Sequence, residues 1–169
     1  MDAKIVTLLN EQINKEFFSA YLYLSFSNFL EEKGLSGFAN WYTIQTQEER
    51  DHALLMVKFL QNNDEKVTYK AIKEPANTWK SELEVLKAGL AHEKYITSSI
   101  NNIYSVALDT KDFRTTQFLD WFIKEQTEEE TNATLLIKKA EMFATSENGL
   151  YMLDKELALR VYTAPSLVL

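Results

Sequence analysis

Along most of the chain, apolar residues return at steps of three and four, the period of a helix with one buried face. From about Ala3 to Lys33 the stripe is Ile5, Leu8, Leu9, Ile13, Phe17, Ala20 and Leu24, and Gly34 ends it. A second helix opens at Ser36-Gly37, with Ser36 as its expected cap, and stops near Asn62-Asn63-Asp64. A third is expected from about Trp79 to Leu108 and a fourth from about Asp112 to Thr145, joined by the tight turn Asp109-Thr110-Lys111-Asp112. Ser146-Glu147-Asn148-Gly149 breaks the pattern. A short fifth helix, Leu150 to about Tyr162, carries a narrow stripe of Leu150, Leu153, Leu157 and Val161 before a tail over 163–169. No segment alternates apolar and polar residues for long. The expectation is an all-α protein, one domain over 1–169, with a four-helix bundle over about 3–145.

The short link at Gly34 makes the first two helices antiparallel. The stretch from Asp64 to Thr78 has Pro75 and little periodicity. Extended, it can cover up to ~50 Å, and a helix of this size is ~45 Å long. It can therefore cross the whole bundle, leaving the second and third helices parallel.

One stripe contains the wrong residues for a core. On the second helix the buried face reads Tyr42, Gln45, Glu49, His52, Met56 and Phe59. Burying an amide, a carboxylate and an imidazole without partners costs several kcal/mol each. A Glu-x-x-His pair is weak evidence of metal alone, but the other helices supply matching groups. Glu16 sits among Leu9, Ile13, Ala20 and Tyr23, and Glu93 among Leu86, Leu90, Ile96 and Ile100. Gln126 and Glu129 continue a stripe of Leu119, Phe122, Ile123, Ala133 and Leu136. Counted from the turns, Glu16, Glu49, Glu93 and Glu129 reach one level to within about one helical turn, ~5 Å. Four such carboxylates would repel and take up protons. Two divalent cations would neutralise them, which is the argument for a dinuclear site.

Composition narrows the chemistry further. The 169 residues include no Cys, four Gly and two Pro, so disulfides and thiolate clusters are excluded. A net charge of −7 disfavours nucleic acid and favours cations, or simply aids solubility. Met1-Asp2-Ala3-Lys4 shows no charged-then-apolar signal pattern, so no leader is expected, and no apolar run approaches membrane-spanning length. A soluble cytoplasmic protein with no membrane partner is expected.

The chain resembles the bacterial non-haem ferritins over nearly its whole length. The shared residues are Asn10-Glu11-Gln12 before Glu16, Gln47-Glu48-Glu49 with His52, Phe118-Leu119-Asp120-Trp121-Phe122 leading into Glu125-Gln126-Thr127-Glu128-Glu129-Glu130, and Gly149-Leu150-Tyr151 followed by Asp154-Lys155-Glu156-Leu157. Ferritin-like di-iron bundles are a standard example of carboxylate sites in helical cores. The resemblance implies one iron on Glu16, Glu49 and His52, and a second on Glu93 and Glu129, with Glu49 bridging. Gln126 would be a neighbour, and Tyr23 would stand beside the centre. The implied activity is a ferroxidase: Fe(II) is oxidised to Fe(III) by dioxygen or hydrogen peroxide, and the product is stored as mineral. The store would be a hollow homo-oligomer of about 24 copies, with the fifth helix lining a four-fold axis. The same helix could instead pack only on its own bundle.

Departures from related families sharpen this reading. Haem-binding bacterioferritins carry Met after the bridging Glu, whereas this chain has Arg50, so no haem is expected. Where several di-iron families repeat Glu-x-x-His on the fourth helix, this chain has Gln126-Thr127-Glu128-Glu129. An asymmetric site is expected, with one iron held more weakly. Glu48, Glu125 and Glu128 match a third iron site that shares Glu129; the alternative is a solvated acidic face. His92 points about 100° away from Glu93 and reads as surface or interface. Trp41, Trp79 and Trp121 read as core or interface aromatics. Asp109, Asp112 and Asp120 lie where the family places a pore, without indicating which of them faces it. Two rival readings remain: a non-catalytic bundle with structural metal, and a di-iron redox protein of the rubrerythrin type.

Overall fold

The computed structural model describes residues 1–168. Five helices follow in order: α1 (Ala3–Glu32), α2 (Ser36–Asn62), α3 (Glu82–Asp109), α4 (Phe113–Phe143) and α5 (Glu147–Leu157). No strand occurs among the described residues. None of these helices is long and apolar enough to cross a membrane.

Helices α1 to α3 end in the same way. At the end of α1, Leu35 N–H donates to Leu30 O at 3.0 Å and Gly34 N–H to Glu31 O at 2.9 Å, with Gly34 at φ +74°. This pair of bonds satisfies carbonyls that the helix leaves open. Asp64 (φ 58°) and Lys111 (φ 57°) hold the same left-handed position after α2 and α3. Only the first of the three uses glycine; the other two stops fall where Asn62-Asn63-Asp64 and Asp109-Thr110-Lys111-Asp112 marked them.

The link between α2 and α3 runs the length of α1. Asn10 holds it at one end, donating to Lys66 O at 3.0 Å and accepting from Thr68 N–H at 2.6 Å. Asn14 follows with Lys70 O and Ala71 O, then Ser25 with Ala76 O, and Lys33 with Lys80 O. The crossover is therefore laid parallel to α1, and α2 and α3 point the same way.

Several local expectations are corrected. Helix α3 begins at Glu82, because Ser81 Oγ accepts from Glu84 N–H at 3.1 Å and caps it. Helix α5 begins at Glu147, capped by Ser146, and ends at Leu157. Val161 therefore lies beyond α5 and is exposed. Leu24, assigned to the buried stripe of α1, is 49% exposed. Ser36 is not the cap of α2. The first free N–H groups of that helix, at Gly37 and Phe38, donate to Asp154 Oδ1 at 2.8 and 3.1 Å.

The bundle has two apolar halves. One gathers Ile5, Leu9, Ile13, Met56, Phe59, Ile100, Ile103 and Leu119. The other gathers Phe26, Leu30, Phe38, Tyr42, Val85, Leu136, Leu153 and Leu157. Ile13 and Phe122 bound the first half and Tyr23 the second. On α1, Glu16 lies between Ile13 and Tyr23, and on α4, Gln126 and Glu129 lie between Phe122 and Leu136, so the buried polar residues sit where the two halves meet.

Candidate metal centre

Each of the four long helices contributes a buried carboxylate, and exposure runs from 1% at Glu16 and Glu49 to 7% at Glu129. His52 and Gln126 are buried with them. A helix delivers these groups easily: Glu49 and His52 are three apart, as are Gln126 and Glu129, so each pair shares a face.

Glu16, Glu49 and His52 each place one ligand atom within 4.8 Å of the others. His52 Nδ1 lies 3.7 Å from Glu49 Oε2. Glu16 Oε2 and both carboxylate oxygens of Glu49 are buried without a hydrogen-bond partner. Unpartnered acceptors in a core are costly. Two such carboxylates clustered with an imidazole form a donor set suited to a first-row divalent cation.

The other half of the site is arranged differently. Glu93 Oε1 accepts from the Tyr23 hydroxyl, and Glu93 Oε2 accepts from Gln126 Nε2 at 3.1 Å. Glu129 Oε2 accepts from Gln45 Nε2 at 2.9 Å. On this side three carboxylate oxygens already accept protein hydrogen bonds, whereas a cation at Glu49 would meet oxygens that accept none.

Proton affinities follow from this confinement. Burial first, then the charges of Glu93, Glu16 and Glu129, pushes Glu49 well up from the ordinary carboxylate range. Burial raises Glu93 to about 7, against the opposing hydrogen bonds from Tyr23 and Gln126. Burial and the charge of Glu93 raise Glu129 to about 8. Burial, then Glu93, also holds the Tyr23 phenol in its protonated form.

Two residues outside the expected set orient the site. Gln12 donates to Glu16 Oε1 at 2.8 Å and accepts from Ser99 Oγ at 2.5 Å, while Lys15 Nζ donates to Ser99 at 2.6 Å. This chain fixes one oxygen of Glu16 and leaves the other free. Gln12 sits one turn before Glu16, and its signals were that spacing and its place in the shared Asn10-Glu11-Gln12 stretch. Thr97 links Gln126 to Glu130, accepting at 3.3 Å and donating at 2.6 Å.

The remaining candidates lie at the edge. Glu125 Oε1 is 3.9 Å from His52 Nε2. Glu48 Oε2 pairs with Arg160 at 2.7 Å, and Glu128 is exposed. His92 is partly buried between α1 and α3, with Nε2 2.8 Å from Ser19 Oγ, and burial lowers it to about 4. It is not part of the metal cluster. Trp121 packs on His52 with ring centroids 5.6 Å apart, Trp79 packs on Phe26, and Trp41 lies beneath Arg160. Asp112 caps α4 through Thr115, and Asp120 accepts from the Tyr104 hydroxyl at 2.9 Å.

The fold and site together define a four-helix bundle with a carboxylate- and imidazole-lined centre in its core. Residues 6–143 match the family described as the Ferritin-like domain, and the chain belongs to that family. Among curated relatives, a bacterial non-heme ferritin of Campylobacter jejuni is 37% identical over 155 residues, covering 92% of this chain and 93% of the relative. One from Staphylococcus haemolyticus is 35% identical over 158 residues, covering 94% and 95%. Among solved structures, an engineered closed form of the Archaeoglobus fulgidus ferritin superposes with a TM-score of 0.94 at 39% identity, covering 96% of this chain and 99% of that one. The open-pore ferritin of the same archaeon gives 0.93 at 39% identity, covering 95% and 99%.

Proposed function

We propose that this protein is an iron-storage ferroxidase. The observation that carries the reading is the buried cluster of Glu16, Glu49 and His52, in which Glu16 Oε2 and both Glu49 oxygens have no hydrogen-bond partner. Fe(II) is the substrate. One ion binds at Glu16, Glu49 and His52. A second binds at Glu93 and Glu129, with Glu49 between them and Gln126 beside it. Each Fe(II) gives up one electron, so a pair supplies the two that reduce dioxygen to hydrogen peroxide, or peroxide to water, with two protons taken up. The protein's part is to hold two ions and their charge at fixed positions. Tyr23 positions Glu93. The ferric product then leaves for a mineral inside a hollow cytoplasmic homo-oligomer of about 24 chains. The ferritin names and folds of the relatives support this storage reading. Glu48, Glu125 and Glu128, sharing Glu129, are proposed as a weaker third iron position.

Titration of the metal-free protein with Fe(II) in air, with particle mass measured alongside, tests the whole reading. A storage protein should keep many times more than about two irons per chain in solution, in a particle near 24 chains. Saturation at about two per chain would favour a di-iron redox protein. No catalysed oxidation would leave a structural bundle, and a stable monomer would remove storage.

A further inference from the structure

Beyond α5 the chain does not leave the bundle. Asn40 Nδ2 donates to Leu157 O at 3.2 Å and to Arg160 O at 3.1 Å, turning the segment back onto α2. The guanidinium of Arg160 then lies 4.1 Å from the centre of the Trp41 ring and donates to Trp41 O at 3.2 Å. Its other nitrogen donates to Glu48 Oε2 at 2.7 Å. The Tyr162 hydroxyl bonds Asp51, one turn further along α2. Ser166 Oγ accepts from Trp121 Nε1 at 3.0 Å on α4, and Leu167 packs on the apolar half below. Residues 158–167 thus span from α2 to α4 past the side of the centre where His52 Nε2 faces Glu125.

The Arg160–Glu48 pair is well shielded, with side chains 19% and 17% exposed. A guanidinium stacked on an indole and bonded to a carboxylate is held by charge, dispersion and geometry together. It also occupies Oε2 of Glu48 and partly neutralises a carboxylate that a cation would share.

We propose that residues 158–167 are a strap across the α2–α4 side of the metal centre, and that Arg160 is the residue that sets cation access to Glu48. A cation that takes both oxygens of Glu48 must displace the guanidinium from Oε2, so full occupancy there and strap closure exclude one another. Ions at Glu16, Glu49, His52, Glu93 and Glu129 leave the strap shut. The strap therefore separates a tight inner pair from a weak outer position, an inference that rests on the proposed metal centre.

Zn(II), which has no redox chemistry, is the probe. Calorimetric titration of the assembled metal-free protein should resolve two tight Zn(II) per chain and a weaker third. Arg160→Gln should tighten the third about tenfold, the scale of one charge-assisted contact, and leave the first two unchanged. Hydrogen exchange should show residues 158–167 protected with two Zn(II) and exposed with three. Tyr162→Phe loosens the strap without touching a carboxylate of the centre. It should also tighten the third ion, by a smaller factor, and provides the test should Arg160→Gln fold poorly. Two tight ions with a third unaffected by either change would overturn the strap. So would a strap that stays protected when the third ion binds. Loss of the first two ions in the wild type would overturn the metal centre, and the strap with it.

Discussion

Asp154 of α5 accepts the Gly37 N–H at 2.8 Å, so the last helix caps the start of the second. The contact is close enough that a Cβ on Gly37 would fall 1.7 Å from the Asp154 carbonyl oxygen. Helix α2 has no side-chain cap of its own. Asp154→Ala should therefore cost about 1–2 kcal/mol. Gly37→Ala should cost more, because two backbones must move apart. Thermal melts and hydrogen exchange over α5 check this; equal melting of both variants and wild type would remove the capping role.

The two halves of the centre should fill in order. The Glu16–Glu49–His52 side offers vacant oxygens, while Glu93 and Glu129 are engaged with Tyr23, Gln126 and Gln45. His52 adds a nitrogen ligand that first-row divalent ions favour. Crystals soaked with less than one Zn(II) per chain should show density at His52 first, and His52→Ala should weaken that ion by more than about tenfold. Equal occupancy of the two positions would refute the order.

The metal-free fold should lose stability as pH rises. Glu93 and Glu129, near 7 and 8 when folded against 4.5 ordinarily, bind protons more tightly in the folded chain. Their contribution is complete below about pH 4.5 and is lost progressively as pH rises to about 8. With each unit near 1.4 kcal/mol, the change is on the order of a few kcal/mol. Melting temperatures of metal-free protein should therefore fall between pH 5 and pH 8, and Zn(II) should remove most of that fall. A flat profile without metal would show that these carboxyls are already ionised at pH 5.

Replacing a carboxylate by its amide separates function from stability. Glu93→Gln or Glu129→Gln should slow rapid Fe(II) oxidation at least about tenfold, as a metal ligand is lost. The same proteins should be as stable as wild type, or more so, without metal at neutral pH. They should also gain less from Zn(II). Stopped-flow oxidation and paired melts read both effects. Variants that melt well below wild type without metal would make these groups structural hydrogen-bonding residues first.

The four long helices, their antiparallel start and the crossover were legible because a helix writes its buried face into every third or fourth residue. The same periodicity exposed the centre: Glu16, Glu49, His52, Glu93, Gln126 and Glu129 interrupt apolar stripes, and a polar interruption at one level on four helices has few physical explanations. The family then followed from motifs spread over nearly the whole chain, and the match over residues 6–143 bears that resemblance out.

What the tertiary structure decided lies where contacts join residues far apart in the chain. Leu24 has the right period for the core but faces outward, since period cannot say how wide a buried face will be. Asp154 caps a helix more than a hundred residues earlier, and no local pattern marks a cap supplied from a distance. Arg160 was expected within the fifth helix but lies beyond its end at Leu157, where the chain folds back on α2, so its pairing with Glu48 could not be read from spacing. An asymmetric centre was expected from Gln126 and the missing second His, but which carboxylate oxygens are vacant was not legible, because it depends on how Tyr23, Gln45 and Gln126 reach across from neighbouring helices. Sequence determined which groups are buried together; three-dimensional packing decided which of their atoms remain free.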